Sequence, residues 1–309
     1  MPFLIAAVVT VLIVAAVLYI VIRRFFKIAF ERDDRERSAA ERLSTPWSLY
    51  ISDVENGEKW FFDHCKENLE ITSRDGIRLR GFFVPCDNAK GTLIMFHGYR
   101  SDGFADYSLM FEHYHSIGLN IVLVHHRAHL TSEGKYITFG LAERYDCLDW
   151  ANYIAKKIGG DIWLMGVSMG ASTVLMSAQL GLPNNVKGII ADSGFTSPWE
   201  ELKYVLKRDY KLPPFPILYL VNFRFKRLTG HDLREINTTD VLKNCKIPVL
   251  FIHGSADNFV PPDMTSLNYS ACASDRSLLI ADGAEHAMSS WADTDEYKSN
   301  VLRFINATA

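Results

Sequence analysis

From about residue 69 to the C-terminus, short apolar runs of β-forming residues alternate with segments of helical period, which restricts the chain to a mainly parallel sheet covered by helices. The runs fall at 92–96, 120–124, 162–165, 188–191, 248–252 and 277–280. Ahead of them, 69–73 and 77–84 flank the turn Arg74-Asp75-Gly76 and predict an antiparallel hairpin at the start of the sheet. One helical stripe, Leu141, Tyr145, Leu148, Ala151, Ala155 and Ile158, is closed by Gly159-Gly160 in the position of a C-terminal cap. A chain of 309 residues, 48% hydrophobic and 22% charged, suits one such α/β domain over 69–309 plus an attachment segment.

The attachment segment is the N-terminus. Residues 2–22 are apolar apart from Thr10 and Tyr19 and stop at Arg23-Arg24, and a helix of about 20 such residues spans a bilayer core. The run predicts a transmembrane anchor over 1–22. A cleaved secretory signal is the alternative, but this run has no Lys or Arg before it and meets arginines directly. Residues 23–68 read as a charged stalk and lead-in, with Glu31-Arg32-Asp33-Asp34-Arg35-Glu36-Arg37 suiting a solvated helix. Because Lys and Arg crowd only the C-terminal side of the span, the expected topology is a single pass through the cell membrane with the large domain in the cytoplasm. A net charge of -3 with mixed signs gives no field for nucleic acid. The five scattered cysteines have neither zinc-site nor redox-dithiol spacing, so no metal or cofactor is expected.

In open parallel sheets, chemistry gathers beyond the carboxyl ends of the strands. There the 162–165 run meets Gly166-Val167-Ser168-Met169-Gly170 and then a helical segment. A serine between glycines at a strand-to-helix turn can take a strained backbone position that projects its hydroxyl, with helix N–H groups behind it. Ser168 is therefore the candidate nucleophile, and a serine hydroxyl needs a base. His286 stands in a small-residue loop after the last strand. Asp257, in the loop after the strand before, is the candidate acid, and Asp192 after 188–191 is its rival. The order Ser, Asp, His matches the triad order of strand-to-helix serine nucleophiles. The candidate oxyanion donors are the backbone N–H groups of Met169, next to Ser168, and of Tyr99 in Phe96-His97-Gly98-Tyr99-Arg100.

With these residues assembled, the chain resembles the α/β-hydrolase superfamily and, within it, the membrane-anchored bacterial serine hydrolases related to the Bem46 group. The resemblance covers roughly 69–305 and rests on His97-Gly98-Tyr99, the segment from Ser132 to Gly140, the Ser168 turn, Ile252-His253-Gly254 with Asp257 and Val260-Pro261, and Glu285-His286. It implies the α/β-hydrolase fold. Such proteins usually carry an Asp-x-Arg-x-x-Gly turn after the second parallel strand, where this chain has His125-His126-Arg127-Ala128-His129-Leu130. An insertion over about 197–235, with Trp199, Leu202, Val205 and Leu206 at helical spacing, predicts a small helical lid. It places Trp199, Phe215, Tyr219 and Phe223 near the mouth of the pocket. The expected activity is hydrolysis of carboxylic ester, thioester or lipid acyl bonds through an acyl-enzyme, on a small-molecule acyl substrate. A peptidase of small acyl-peptides and a non-catalytic membrane scaffold are the alternatives.

Overall fold

The computed structural model describes residues 1–33 and 47–309; most of the expected stalk, 34–46, lies outside the described residues. Eight strands form one sheet: β1 (Glu67–Thr72), β2 (Arg78–Val84), β3 (Gly91–Phe96), β4 (Leu119–Val124), β5 (Asp161–Val167), β6 (Val186–Asp192), β7 (Val249–Gly254) and β8 (Arg276–Ala281). Their order is β1-β2-β4-β3-β5-β6-β7-β8, with β2 antiparallel to both β1 and β4 and all later pairings parallel. The central strands β3, β4 and β7 are buried at every residue, whereas the edge strands β1 and β8 alternate between buried and exposed. A sheet covered on both faces dictates that difference, which is why only the central runs read as continuously apolar.

Helices of two turns or more are α1 (Pro2–Phe30), α2 (Ile51–His64), α3 (Glu143–Lys157), α4 (Met169–Ser177), α5 (Pro198–Tyr210), α6 (Ile217–Thr229), α7 (Pro262–Ala271) and α8 (Thr294–Thr308). Helix α3 ends at Gly159 and Gly160, both in the left-handed region at φ 75° and 69°, as a glycine cap requires. The two core clusters lie on opposite sides of the sheet, one around Phe61, Phe111, Trp163 and Phe304, the other around Trp150, Ile162, Val174 and Phe251.

The N-terminal helix differs from the expected stalk. α1 does not become a solvated rod at Lys27: Ile22, Phe26 and Phe30 are buried in a third cluster with Leu218, Val221 and Phe225 of α6. The Phe30 and Phe225 rings lie 4.8 Å apart. Charge alternation describes one face of that segment, but the phenylalanines four residues apart share the other face and bind a partner invisible to local pattern. Burying each such ring is worth about 1.5–3 kcal/mol. Past the helix, the chain stays attached: Glu31 bridges Tyr136, and the Arg32 guanidinium donates to the carbonyls of Leu130 and Ser132.

Candidate active site

Ser168 is the residue between β5 and α4, at φ 54° and ψ −113°. Few non-glycine residues hold that conformation, and its neighbours explain how this one does. A Cβ on Gly170 would lie 1.9 Å from the Phe96 carbonyl oxygen, and one on Gly166 would lie 2.2 Å from the Gly170 carbonyl, so the turn closes only with glycine at both places. The Ser168 N–H donates to the Asp192 carbonyl at 2.8 Å, fixing the turn to β6.

The loops after β7 and β8 bring Asp257 and His286 to this serine. His286 Nε2 is 2.9 Å from Ser168 Oγ, and its Nδ1 is 2.7 Å from Asp257 Oδ2. With the ring proton on Nδ1 donated to Asp257, Nε2 is left to accept from the serine hydroxyl. Asp257 is anchored from its other side, where Oδ1 accepts from the backbone N–H groups of Phe259 at 2.7 Å and Val260 at 2.9 Å. Burial alone would raise this carboxyl, but hydrogen bonds from His253 and His286 outweigh it and hold the group well below the usual carboxylate range. The rival Asp192 lies elsewhere, accepting from Ser193, Ser289 and Tyr297 at 3.0–3.2 Å. Burial pushes its carboxyl up.

The sequence gives His253 no role beyond its place in Ile252-His253-Gly254. Its Nε2 lies 3.0 Å from Asp257 Oδ2 and 3.0 Å from the Val260 carbonyl, and Thr265 Oγ1 sits 2.7 Å from its Nδ1. Spacing carries one signal for this role: His253 precedes Asp257 by four residues within a strand-to-loop turn.

The loop bearing Tyr99 approaches from β3. A Cβ on Gly98 would come within 3.6 Å of Ser168 Cβ, so this backbone borders the serine directly. Its shape is held by a histidine lattice: His97 Nε2 accepts from the His126 N–H at 3.2 Å, His126 Nε2 donates to the His97 carbonyl at 3.1 Å, and the Arg100 N–H donates to His129 Nε2 at 3.0 Å. Those acceptors require neutral rings, and burial supplies them, lowering His97 to about 4 and His126 and His129 well below the usual imidazole value. The unusual segment after β4 thus forms the brace of the Tyr99 loop. Within it Ala128 and Leu130 adopt φ 58° and 46°, and Arg127 pairs with Asp146 at 2.5 Å and Asp75 at 2.9 Å. Met169 begins α4, so its N–H belongs to the first turn, where a helix has no partner of its own for it.

The pocket beside Ser168 has walls from four places. Tyr99 and Phe139 come from sheet loops, Leu202, Val205 and Tyr210 from the lid helix α5, Phe259 and Val260 from the Asp257 loop, and Phe25, Ile28 and Ala29 from α1. The lid is two helices, α5 capped by the Ser197 side chain accepting from the Glu200 N–H, and α6 packed on α1. Arg208 ties α5 to the Asp257 loop by donating to the Asn258 carbonyl at 2.6 Å. Of the aromatic residues expected at the mouth, Phe215 and Phe223 point outward, 72% and 63% exposed, and Tyr219 is also exposed. The apolar lining comes instead from the buried side of α5 and from α1, because the lid turns its most aromatic face outward. Sequence reasoning also missed Glu201, which lines the same pocket.

Two side chains of the Tyr99 loop reach the end of α1. The Tyr99 hydroxyl is 3.1 Å from the carbonyls of Ile28 and Ala29, and the Arg100 guanidinium donates to the carbonyls of Ile28 at 2.8 Å and Glu31 at 2.9 Å. They satisfy carbonyls that the end of a helix leaves unpaired.

No family model matches the chain. It is 29% identical over 271 residues to the uncharacterized protein YqkD of Bacillus subtilis, spanning 86% of this chain and 88% of that one. Among solved structures it is similar to the esterase Pf2001 of Pyrococcus furiosus, with a TM-score of 0.64, 24% identity, and coverage of 78% of this chain and 92% of the esterase. A second is Est1E of Butyrivibrio proteoclasticus, solved with ferulic acid bound, with a TM-score of 0.61, 19% identity, and coverage of 77% and 99%.

Proposed function

This chain has the α/β-hydrolase fold, and from that premise we propose that it is a membrane-anchored serine hydrolase cleaving carboxylic ester, thioester or lipid acyl bonds. The observation that carries the reading is the unbroken chain from Ser168 Oγ through the His286 ring to Asp257. In this reading Ser168 Oγ attacks the acyl carbon as His286 Nε2 takes its proton, and Asp257 stabilises the imidazolium that results. The tetrahedral oxyanion is met by the N–H groups of Met169 and Tyr99. His286 then returns the proton to the departing alcohol or thiol, leaving an acyl-Ser168 that water, activated by the same imidazole, hydrolyses to the acid. The substrate is a small acyl compound with an apolar part, which the lining of Phe139, Leu202, Val205 and Phe259 supports. A fluorophosphonate probe tests the mechanism: it should label the wild-type protein on Ser168, and Ser168→Ala should remove the label. Labelling of the folded Ser168→Ala protein at the wild-type level would defeat the reading.

Helix α1 supports the anchor. Twenty-one residues from Pro2 to Ile22 extend about 30 Å at 1.5 Å per residue, the thickness of a hydrocarbon core. Since Phe25 and Ile28 line the pocket directly after Arg23-Arg24, the pocket opens within about two helical turns of the headgroup level. The arginines on the C-terminal side of the span support a cytoplasmic domain in this reading. Protease added to spheroplasts should therefore spare the domain, and its digestion beside an intact cytoplasmic control would reverse the topology.

A further inference from the structure

Glu201 is a carboxyl with no evident duty in the fold. It sits on the inner side of α5, is 2% exposed and lines the pocket with Ser168. Neither of its oxygens finds a hydrogen-bond partner among the described residues, and both are shut off from solvent. Leaving a buried polar group unpaired is destabilising, because the water it gave up is not replaced. Nothing local recovers it: the N-cap of α5 is already Ser197, and Leu202 and Leu206 seat the helix. Of the hydroxyls in the lining, Ser168 is committed to His286 and Tyr99 to α1, and that of Tyr210 makes no bond to Glu201.

Burial raises the Glu201 carboxyl to about 8, with the charge of Asp257 adding to it and Arg208 opposing it. The other charged group in its field is Asp209 on the same helix, while the part of α1 that shares the pocket, Phe25, Ile28 and Ala29, brings none. Near neutral pH the group is thus a carboxylic acid, with one O–H to donate and one carbonyl oxygen to accept.

We propose that Glu201 is a specificity-determining residue that binds a hydroxyl group carried by the substrate, its O–H donating to the hydroxyl oxygen and its carbonyl oxygen accepting a hydrogen bond from the hydroxyl. The proposal rests on the ester-hydrolase reading and narrows its substrate class to amphiphilic esters with an apolar body and a hydroxyl. A hydroxyl satisfies both halves of a neutral carboxyl at once. An ammonium group would have to lose its hydration among Phe25, Ile28, Phe139, Leu202 and Phe259, and buried ion pairs barely recover that loss. A purely apolar acyl chain would leave the carboxyl unpaired in the bound state as well.

The test compares wild type, Glu201→Gln and Glu201→Leu, each as the full chain in detergent micelles. The substrates are p-nitrophenyl octanoate, its hydroxy-octanoate isomers, monoesters of octanoic acid with short diols, and an amino-octanoate ester. Wild type should favour its best hydroxyl-bearing ester over the plain counterpart by about 10- to 100-fold in kcat/KM, mostly through KM. Glu201→Leu should abolish or invert that ratio, and Glu201→Gln, whose amide still donates and accepts, should keep part of it. All three should take up the fluorophosphonate label, and Glu201→Leu should melt no lower than wild type, since it removes an unpaired buried group. An unchanged ratio in an active Glu201→Leu protein overturns the proposal, as does a wild-type preference for the amino ester. Wild-type protein inert towards every ester and towards the probe overturns the hydrolase reading itself.

Discussion

The two walls of this pocket treat their polar groups in opposite ways. On the strand-end side the acids are answered: Asp257, beside the pocket, by two imidazoles and two backbone N–H groups, and Asp192, away from it, by three hydroxyls. On the wall made by the lid and α1, the buried Glu201 carboxyl is answered by nothing among the described residues. A fully partnered cluster is arranged before any ligand arrives, which suits a reacting centre. An unpartnered one is completed only by what binds, which suits recognition.

Ser168→Ala should break the first wall most severely, lowering ester turnover by about 10⁴-fold or more with unchanged far-ultraviolet circular dichroism. Asp257→Asn comes next, at about 10⁴-fold in kcat. Asp192→Asn should cost far less turnover and show itself in a lower Tm, because its carboxyl holds Ser193, Ser289 and Tyr297 rather than His286. A folded Asp192→Asn protein more crippled than Asp257→Asn would exchange the two assignments. On the second wall, Phe30→Ala should destabilise the protein by about 3–5 kcal/mol in denaturant unfolding, the usual cost of a phenylalanine cavity.

The smallest effects are in pH dependence, and the walls should diverge there too. His97 and its neighbours have lowered values in the folded state, so the unfolded chain binds more protons below about 6.5 and stability falls as pH drops through that value towards about 4. Glu201 works the other way. Its carboxyl is raised from 4.5 to about 8, so the stability it contributes is full below 4.5 and is lost as pH rises through about 8. The Tm advantage of Glu201→Gln over wild type should accordingly widen between pH 5 and pH 8 in thermal melts. A constant difference would mean that Glu201 is already ionised at pH 5.

The sequence was most readable where a role is fixed by neighbours along the chain. Apolar runs marked the central strands because burial on both faces removes polar residues from them. The motif around the serine and the loop order single out Ser168, Asp257 and His286, and the fold brings them within hydrogen-bond reach. What escaped depends on contacts far apart in sequence. Glu201 looks like any acid in the first turn of a helix, beside Glu200, until the fold turns it inward. The charges after Lys27 announced solvent, and only α6, nearly two hundred residues on, reveals that Phe26 and Phe30 are core residues.

The carbonyls at the end of α1 are held by Tyr99 and Arg100, and Phe25, Ile28 and Ala29 form one side of the pocket. Trimming the N-terminus to obtain a convenient soluble protein would therefore produce a different pocket. A cut at Arg24 leaves a short stub held by Phe26 and Phe30 and by the bonds of residues 28–32, without the helix that leads into it, and a cut at Asp33 opens the pocket to water and removes the helix end that Tyr99 and Arg100 hold. Kinetic constants from such a truncated protein would describe an open groove, with weaker discrimination among acyl groups than the intact chain possesses.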